Sequence, residues 1–156
     1  RIADEHVISF QQQCSVEVYI GVCVKKADSV LGMARAFAAH DNVKETIYKL
    51  QKELWLLMAD VASLGQEPNI TPEHVTNLEH IIDQYTESLA PLDHFLVPGA
   101  TQGSSFLDVA RSVVRRAERC MWRLSEAEDV HDVDIRYLNR LSDLCFTLAR
   151  YEAEVK

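Results

Sequence analysis

No stretch of this 156-residue chain stays apolar for the roughly 20 residues that a membrane helix needs. Bilayer insertion is therefore not expected, and no secretory signal is visible at the start. The chain opens on Arg1 rather than Met, as a processed form or a piece of a longer protein does. Basic residues are in deficit, 16 against 24 acidic, for a formal net charge of -8. That balance argues against a general nucleic-acid or anionic-membrane surface. Cysteine is limited to Cys14, Cys23, Cys120 and Cys145, with no CxxC pair. Such spacing reads as reduced structural thiols, and hence as a reducing compartment, cytosol or mitochondrial matrix. The six histidines are singletons without an HxxxH pair, so no protein metal site is expected. Glycine (5) and proline (4) are too sparse for a loop-rich or low-complexity chain.

What remains is 47% hydrophobic and mostly spaced at a helical period. The length suits one domain over 1–156, and the expected class is an all-α bundle of five helices. Residues 16–24 alternate and are rich in β-branched side chains, as a strand would be. They run straight into the helical spacing of 27–39, which favours a first helix over 14–39. Ile47, Leu50, Leu54, Leu57, Val61 and Leu64 trace a second helix, with Asp41 as its N-cap, Gly65 as its stop, and Trp55 and Met58 widening its apolar face. Thr71-Pro72-Glu73 opens a third, carrying Val75, Leu78, Ile82, Tyr85 and Leu89. A loop follows from Pro91 to Ser105, long enough to suggest a functional role. Two further helices cover about 105–125 and 133–153. Trp55, Trp122 and Tyr151 read as packing residues.

The fourth helix holds the densest chemistry. Arg111-Ser-Val-Val-Arg115-Arg116-Ala-Glu118-Arg119 sets four arginines and a glutamate in about two turns. Helical spacing stacks Arg111, Arg115 and Arg119 on one side, where they repel unless something negative intervenes. Carboxylates such as Asp143 on the last helix and Glu118 on this one, or a polyphosphate ligand, would serve equally; arginine's planar fork grips both. Asn139 and Asp143 lie four residues apart, on one face of the last helix.

The loop Leu92-Asp-His-Phe95-Leu-Val-Pro98-Gly99, the arginine segment and Tyr137-Leu-Asn-Arg-Leu-Ser-Asp-Leu-Cys-Phe-Thr-Leu-Ala-Arg-Tyr151 together resemble the ATP:cobalamin (corrinoid) adenosyltransferases of the propanediol-utilisation type. That family carries "F-I-L-P-G-G", then "A-R-x-x-x-R-R-A-E-R", then "L-N-R-L-S-D-x-L-F-x-L-A-R-Y". Residues 49–62 are similar to its "L-Q-x-E-L-F-D-L-G-A-D-L-A", so the resemblance covers about 28–153, with 1–13 poorly matched. It implies a five-helix bundle, a homotrimer with sites between subunits, and ATP-Mg and cobalamin as ligands. A Co(I) nucleophile would attack the 5′ carbon of ATP, giving adenosylcobalamin and triphosphate. The resemblance further implies that Arg115 and Arg119 hold polyphosphate, and that Glu118 orients the nucleotide or its magnesium. Asn139 would contact the nucleotide, with Asp143 beside it. Phe95 would be an apolar wedge against the corrin, and Arg111 would pair across the interface with an aspartate. Read alone, a phenylalanine on a loop such as Phe95 is more often a cap over the core than a cofactor wedge.

Departures from the pattern are specific. The family's "T-G-D-x-G-x-T" has no counterpart in this chain, and "R-V-x-K-D-D" is echoed only by Arg1-Ile-Ala-Asp4-Glu-His6. The family's "D-E-L-N-S-x-x-G" aligns with Lys25-Lys26-Ala-Asp-Ser-Val-Leu-Gly32, which exchanges two acids for two lysines. Ala100 replaces a glycine and Asp108 a histidine. Two readings follow. One is a divergent relative with lost or weakened adenosyl transfer, kept as a structural subunit of a larger assembly, for which a mitochondrial setting fits. The alternative is an active ATP:cob(I)alamin adenosyltransferase.

Overall fold

The computed structural model describes the backbone from Ile2 to Lys156 and the side chains from Glu17 onward. Arg1, Asp4, His6 and Cys14, which entered the sequence reading, lie outside the residues whose side chains are described. Five α-helices are present: α1 (Ile2–Phe37), α2 (Asp41–Ala62), α3 (Pro72–Thr86), α4 (Gln102–Leu124) and α5 (Asp132–Glu154). The architecture is all-α, with α4 between α1 and α5, α2 against α1, and α3 against α5.

The strand-like alternation of 16–24 resolves as helix, for a visible reason. Ile20, Val24, Ala27, Leu31, Ala34 and Ala38 are buried at three- and four-residue steps, whereas Val18 and Val22 stay exposed. Burial of that stripe against two helices outweighs the weak β preference of single valines. On α2 the predicted stripe from Ile47 to Val61 is buried. Asp41, however, is the first helical residue rather than the cap; His40 holds that position without a side-chain cap bond. A carboxylate from α5 does the work instead. Buried Glu152 accepts from Ala39 N at 2.9 Å, from His40 N at 3.2 Å and faces His40 Nδ1 at 3.0 Å.

Thr71 and Pro72 open α3 as expected, and Thr71 N donates to His74 Nδ1 at 3.0 Å. The helix stops at Thr86, so Leu89 falls in the turn beyond it. α4 starts three residues earlier than its spacing suggests. Thr101 Oγ1 accepts from Ser104 N at 3.1 Å while Ser104 Oγ accepts from Thr101 N at 3.0 Å. This reciprocal box uses Ser where Glu or Gln is usual, which hid it from the pattern. Gly103 in that first turn touches α1: a Cβ there would stand 3.0 Å from Ala38 Cα and 3.1 Å from Glu152 Oε2.

Tyr151 packs edge-on to Tyr85 at 4.8 Å, in keeping with a packing role. Trp55 and Trp122 do not: they are 65% and 55% exposed, so their breadth lies on the surface. Cys145 is fully enclosed, and burial pushes its thiol up to about 12, which suits an inert hydrophobe. Cys23 and Cys120 are likewise free and buried. Among the described residues, no helix is long and apolar enough to cross a membrane.

Candidate functional site

The buried face of α4 is formed by Leu107, Ala110, Val114, Ala117, Met121 and Leu124. Successive residues turn by ~100° about the axis, so Arg111, Arg115 and Arg119 advance by ~40° per step. The expected single ridge is therefore a fan. Arg111 is half-buried and leans toward α5, its guanidinium 5.2 Å from the centre of the Phe146 ring. Arg115 points to solvent, and exposed Arg119 borders the groove with α1. None of Arg111, Arg115, Arg116 and Arg119 forms an ion pair among the described residues. The carboxylates expected to neutralise them are otherwise engaged.

Those carboxylates build the polar centre on the α5 side. Asn139 Nδ2 donates to Glu118 Oε1 at 2.9 Å, tying α5 to α4. Arg140 donates through Nε at 3.2 Å and Nη2 at 2.6 Å to Asn139 Oδ1. The same guanidinium lies 3.4 Å from Asp143 Oδ2. Arg140 thus links Asn139 to Asp143, a role the sequence reading missed although the residue stands inside its own motif. With both amide ends engaged, Asn139 has one orientation, and the second Glu118 oxygen has no hydrogen-bond partner among the described residues. Glu118, Trp122, Arg136, Asn139 and Arg140 line an open cleft of about 390 Å³ with Val75, Glu79 and Ile135.

The loop before α4 supplies a different surface. Phe95 is 100% exposed and Val97 87%, so Phe95 does not cap the core. Gly99 adopts φ +104°, a backbone setting that L side chains rarely accept, and it turns the chain back after Pro98. The loop base is held by Arg150, whose Nη2 donates to Ala90 O at 2.6 Å while Nε lies 3.1 Å from Glu154 Oε1. Pro98, Gly99, Asp108, Arg111, Phe146 and Arg150 line a pocket of about 200 Å³ under the loop. There, burial pushes the Asp108 carboxyl upward against the pull of Arg111. The site residues consequently form two groups. Glu118, Asn139 and Asp143 come together through Arg140, whereas Arg115 and Arg119 do not line that cleft and Arg119 borders the α1–α4 groove; Arg111 joins the loop that carries Phe95.

Lys25 and Lys26 also separate. Lys25 Nζ lies 3.4 Å from Asp28 Oδ2, while Lys26 lines the α1–α4 groove with Arg116 and Arg119. Neither lysine lines the pocket holding Arg111.

Comparison with known proteins gives the family. The cobalamin adenosyltransferase family model matches residues 12–152. The chain belongs to that family. It is 34% identical over 130 residues to the corrinoid adenosyltransferase PduO of Salmonella typhimurium, covering 80% of this chain but 39% of that protein. Against the corrinoid adenosyltransferase of Bacillus subtilis it is 34% identical over 133 residues, covering 81% and 69%. Among solved structures it superposes on a phenylalanine-to-histidine variant of the PduO-type ATP:corrinoid adenosyltransferase from Lactobacillus reuteri, complexed with cobalamin and ATP. The TM-score there is 0.83 at 28% identity, over 90% of this chain and 80% of that one. An arginine-to-lysine variant of the L. reuteri protein, complexed with ATP, gives a TM-score of 0.81 at 27% identity, over 89% and 82%. The family thus accounts for the five helices and their order.

Proposed function

We propose that this chain carries the α4–α5 half of an ATP:corrinoid adenosyl-transfer site. The observation that carries the reading is the Glu118–Asn139 bond of 2.9 Å, with Glu118 on the same helix as the guanidinium groups of Arg115 and Arg119, which form no ion pair among the described residues. A nucleotide-magnesium complex needs fixed cations for its phosphates, a carboxylate for its metal and an amide for its orientation. The chemistry of this donor set fits. Arg115 and Arg119 hold polyphosphate and keep their charge as the leaving group develops. Glu118 takes the magnesium side, and Asn139 orients the nucleotide while Arg140 and Asp143 hold it in place.

The exposed Phe95 fits an apolar corrin face, with Leu96 and Val97 beside it on the loop. When bound, the corrinoid supplies the nucleophile, so no protein Ser or Cys is needed for attack. The residues of this chain bind, orient and exclude water. Arg111 stabilises the loop through the pocket it shares with Pro98 and Gly99. A homotrimer with sites between subunits is part of this proposal. It is supported by the exposed Val22 and Val109, which line the α1–α4 groove, and by the exposed Val18 and Met33 elsewhere on α1, apolar surface that such an assembly would cover. Free Cys23, Cys120 and Cys145 suit a reducing compartment, cytosol or mitochondrial matrix.

A second reading is weakened or lost transfer, with the bundle retained as a subunit of a larger assembly. The placement of Lys26 beside Arg116 and Arg119 favours it, because extra positive charge alters the balance of the site. One assay separates the two. Reduced cobalamin and ATP-Mg are incubated with the protein, and conversion to adenosylcobalamin is followed by its absorption spectrum. Conversion that fails on Arg115→Ala supports transfer; no conversion by the wild-type chain removes it in favour of the second reading.

A further inference from the structure

The seam between α1 and α4 repeats every seventh residue. Gly103 abuts Ala38 and the Phe106 ring stands 5.4 Å from that of Phe37, while Cys23 shares a groove with Arg116 and Arg119, so the two helices run antiparallel. Seven residues make close to two turns, and each contact along such a seam therefore recurs one heptad further on. One step from Phe37 and Phe106 leads to Val30 and Val113, both half-buried against the core. A second step leads to Cys23 and Cys120.

Small residues hold the helices close along this path: Ala27, Ala34 and Ala38 on α1, and Gly103, Ala110 and Ala117 on α4. Close approach matters, because a disulfide needs its two Cα atoms within about 7 Å. Electrostatics agree with the register. Burial first and the neighbouring Cys23 next raise the Cys120 thiol, while Arg123, Arg116 and Arg119 pull it the other way. Cys23 lines the open groove, where a small solute can reach it. Cys145 differs: it is fully enclosed on α5, and Arg111 rather than a cysteine acts on its thiol. Adenosyl transfer uses neither Cys23 nor Cys120.

We propose that Cys23 and Cys120 are a redox-active pair, a dithiol at rest that closes to a disulfide between α1 and α4 when a hydroperoxide enters the groove. The Cys23 thiolate attacks one peroxide oxygen, the O–O bond breaks, and the other oxygen leaves as water or alcohol after taking a proton. Cys23 is then a sulfenic acid. The Cys120 thiolate attacks its sulfur, the S–S bond forms, and the hydroxyl departs with a proton as water. Two electrons pass from the dithiol to the peroxide. Transient closure of this kind suits a reducing compartment, where small thiols reopen the bond. The closed form ties α1 to the helix that bears the arginine segment. None of this depends on adenosyl transfer.

Stoichiometric hydrogen peroxide, followed by alkylation with N-ethylmaleimide, tests the pair on the full chain. Digestion with trypsin and a glutamate-specific protease cuts at Glu17, between Cys14 and Cys23, and so tells those two apart. Mass spectrometry should find peptides joined through Cys23 and Cys120, and dithiothreitol should abolish the linkage. Cys120→Ser should lose it as well and leave Cys23 as a sulfenic acid that dimedone labels. Linkage through Cys14 or Cys145, a bond between two chains, or Cys23 and Cys120 both still alkylated after peroxide overturns the proposal. The wild-type map decides even where the serine variant fails to fold.

Discussion

Glu152 on α5 closes the α1–α2 corner by accepting the backbone N–H of His40 at 3.2 Å, together with that of Ala39 at 2.9 Å. Its side chain is wholly enclosed. Replacement by alanine leaves two part-buried backbone donors without their acceptor at ~1–3 kcal/mol each, partly offset where water enters. Glu152→Ala should therefore lose about 2–4 kcal/mol in urea unfolding. A loss below about 0.5 kcal/mol, the range of ordinary surface changes, would show that the corner is held by something else.

Gly103 gives an independent test of the same corner. A methyl group there meets Ala38 Cα at 3.0 Å, and this neighbour is backbone and cannot swing away. Gly103→Ala gains helix propensity of about 1 kcal/mol but forces α4 from α1. The expected net result is a destabilised chain, by about 1–2 kcal/mol, seen as a lower Tm. An unchanged or raised Tm contradicts it.

Asp60 and Asp134 form a buried acid pair with opposite shifts. Burial and then the neighbouring Asp60 raise Asp134 to about 9. Neither Asp134 oxygen has good hydrogen-bond geometry with a described group, yet its carboxyl faces that of Asp60, and we read it as the protonated partner. For Asp60, burial pushes upward, but Asp134 and the N–H groups of Asn69 and Ile70 prevail and hold it below the usual range. Unfolding returns Asp134 to an ordinary carboxyl, so the unfolded chain releases a proton as pH rises past the usual aspartate value of 3.8. The stability due to this proton is complete below that value and declines as pH climbs toward about 9. One proton corresponds to a slope of at most ~1.4 kcal/mol per pH unit. Asp134→Asn should flatten unfolding free energy between pH 5 and 8; identical slopes for variant and wild type would count against the pairing.

Phe95 touches solvent on all sides. Phe95→Ala should leave Tm unchanged within about 1 °C, since no packing is lost. Under the proposed function it should nevertheless lower adenosylcobalamin formation by about tenfold or more, as an apolar contact at the reacting centre is removed. A normal rate in the assay would detach the loop from the chemistry.

Asn139→Ala should weaken ATP-Mg binding by about tenfold, the cost of one hydrogen bond to a charged group. Far-UV circular dichroism should stay unchanged, because Asn139 is only partly buried. Equal affinity of variant and wild type would reassign the Glu118–Asn139 bond to helix register alone.

Much of this was legible in the sequence. Stripes such as Ile47 to Val61 fixed the helices, because burial on one face imposes a 3.6-residue period whatever the contacts turn out to be. The motifs around Arg111–Arg119 and Tyr137–Tyr151 led to the family that residues 12–152 match. What escaped was set by the third dimension. The α2 cap comes from Glu152, distant in sequence, and the α4 box uses Ser104. Trp55 and Trp122 look like core residues in a string of letters, and their positions on α2 and α4, off the buried stripes, put them outside. The three-arginine ridge fans apart because ~40° accumulates at every fourth residue.

Trp122 stands 55% exposed on the wall of the cleft shared by Glu118 and Asn139. The molecule thereby carries its own optical reporter. With Trp55→Phe to silence the other indole, emission from position 122 would follow ligand arrival in real time, with no dye attached.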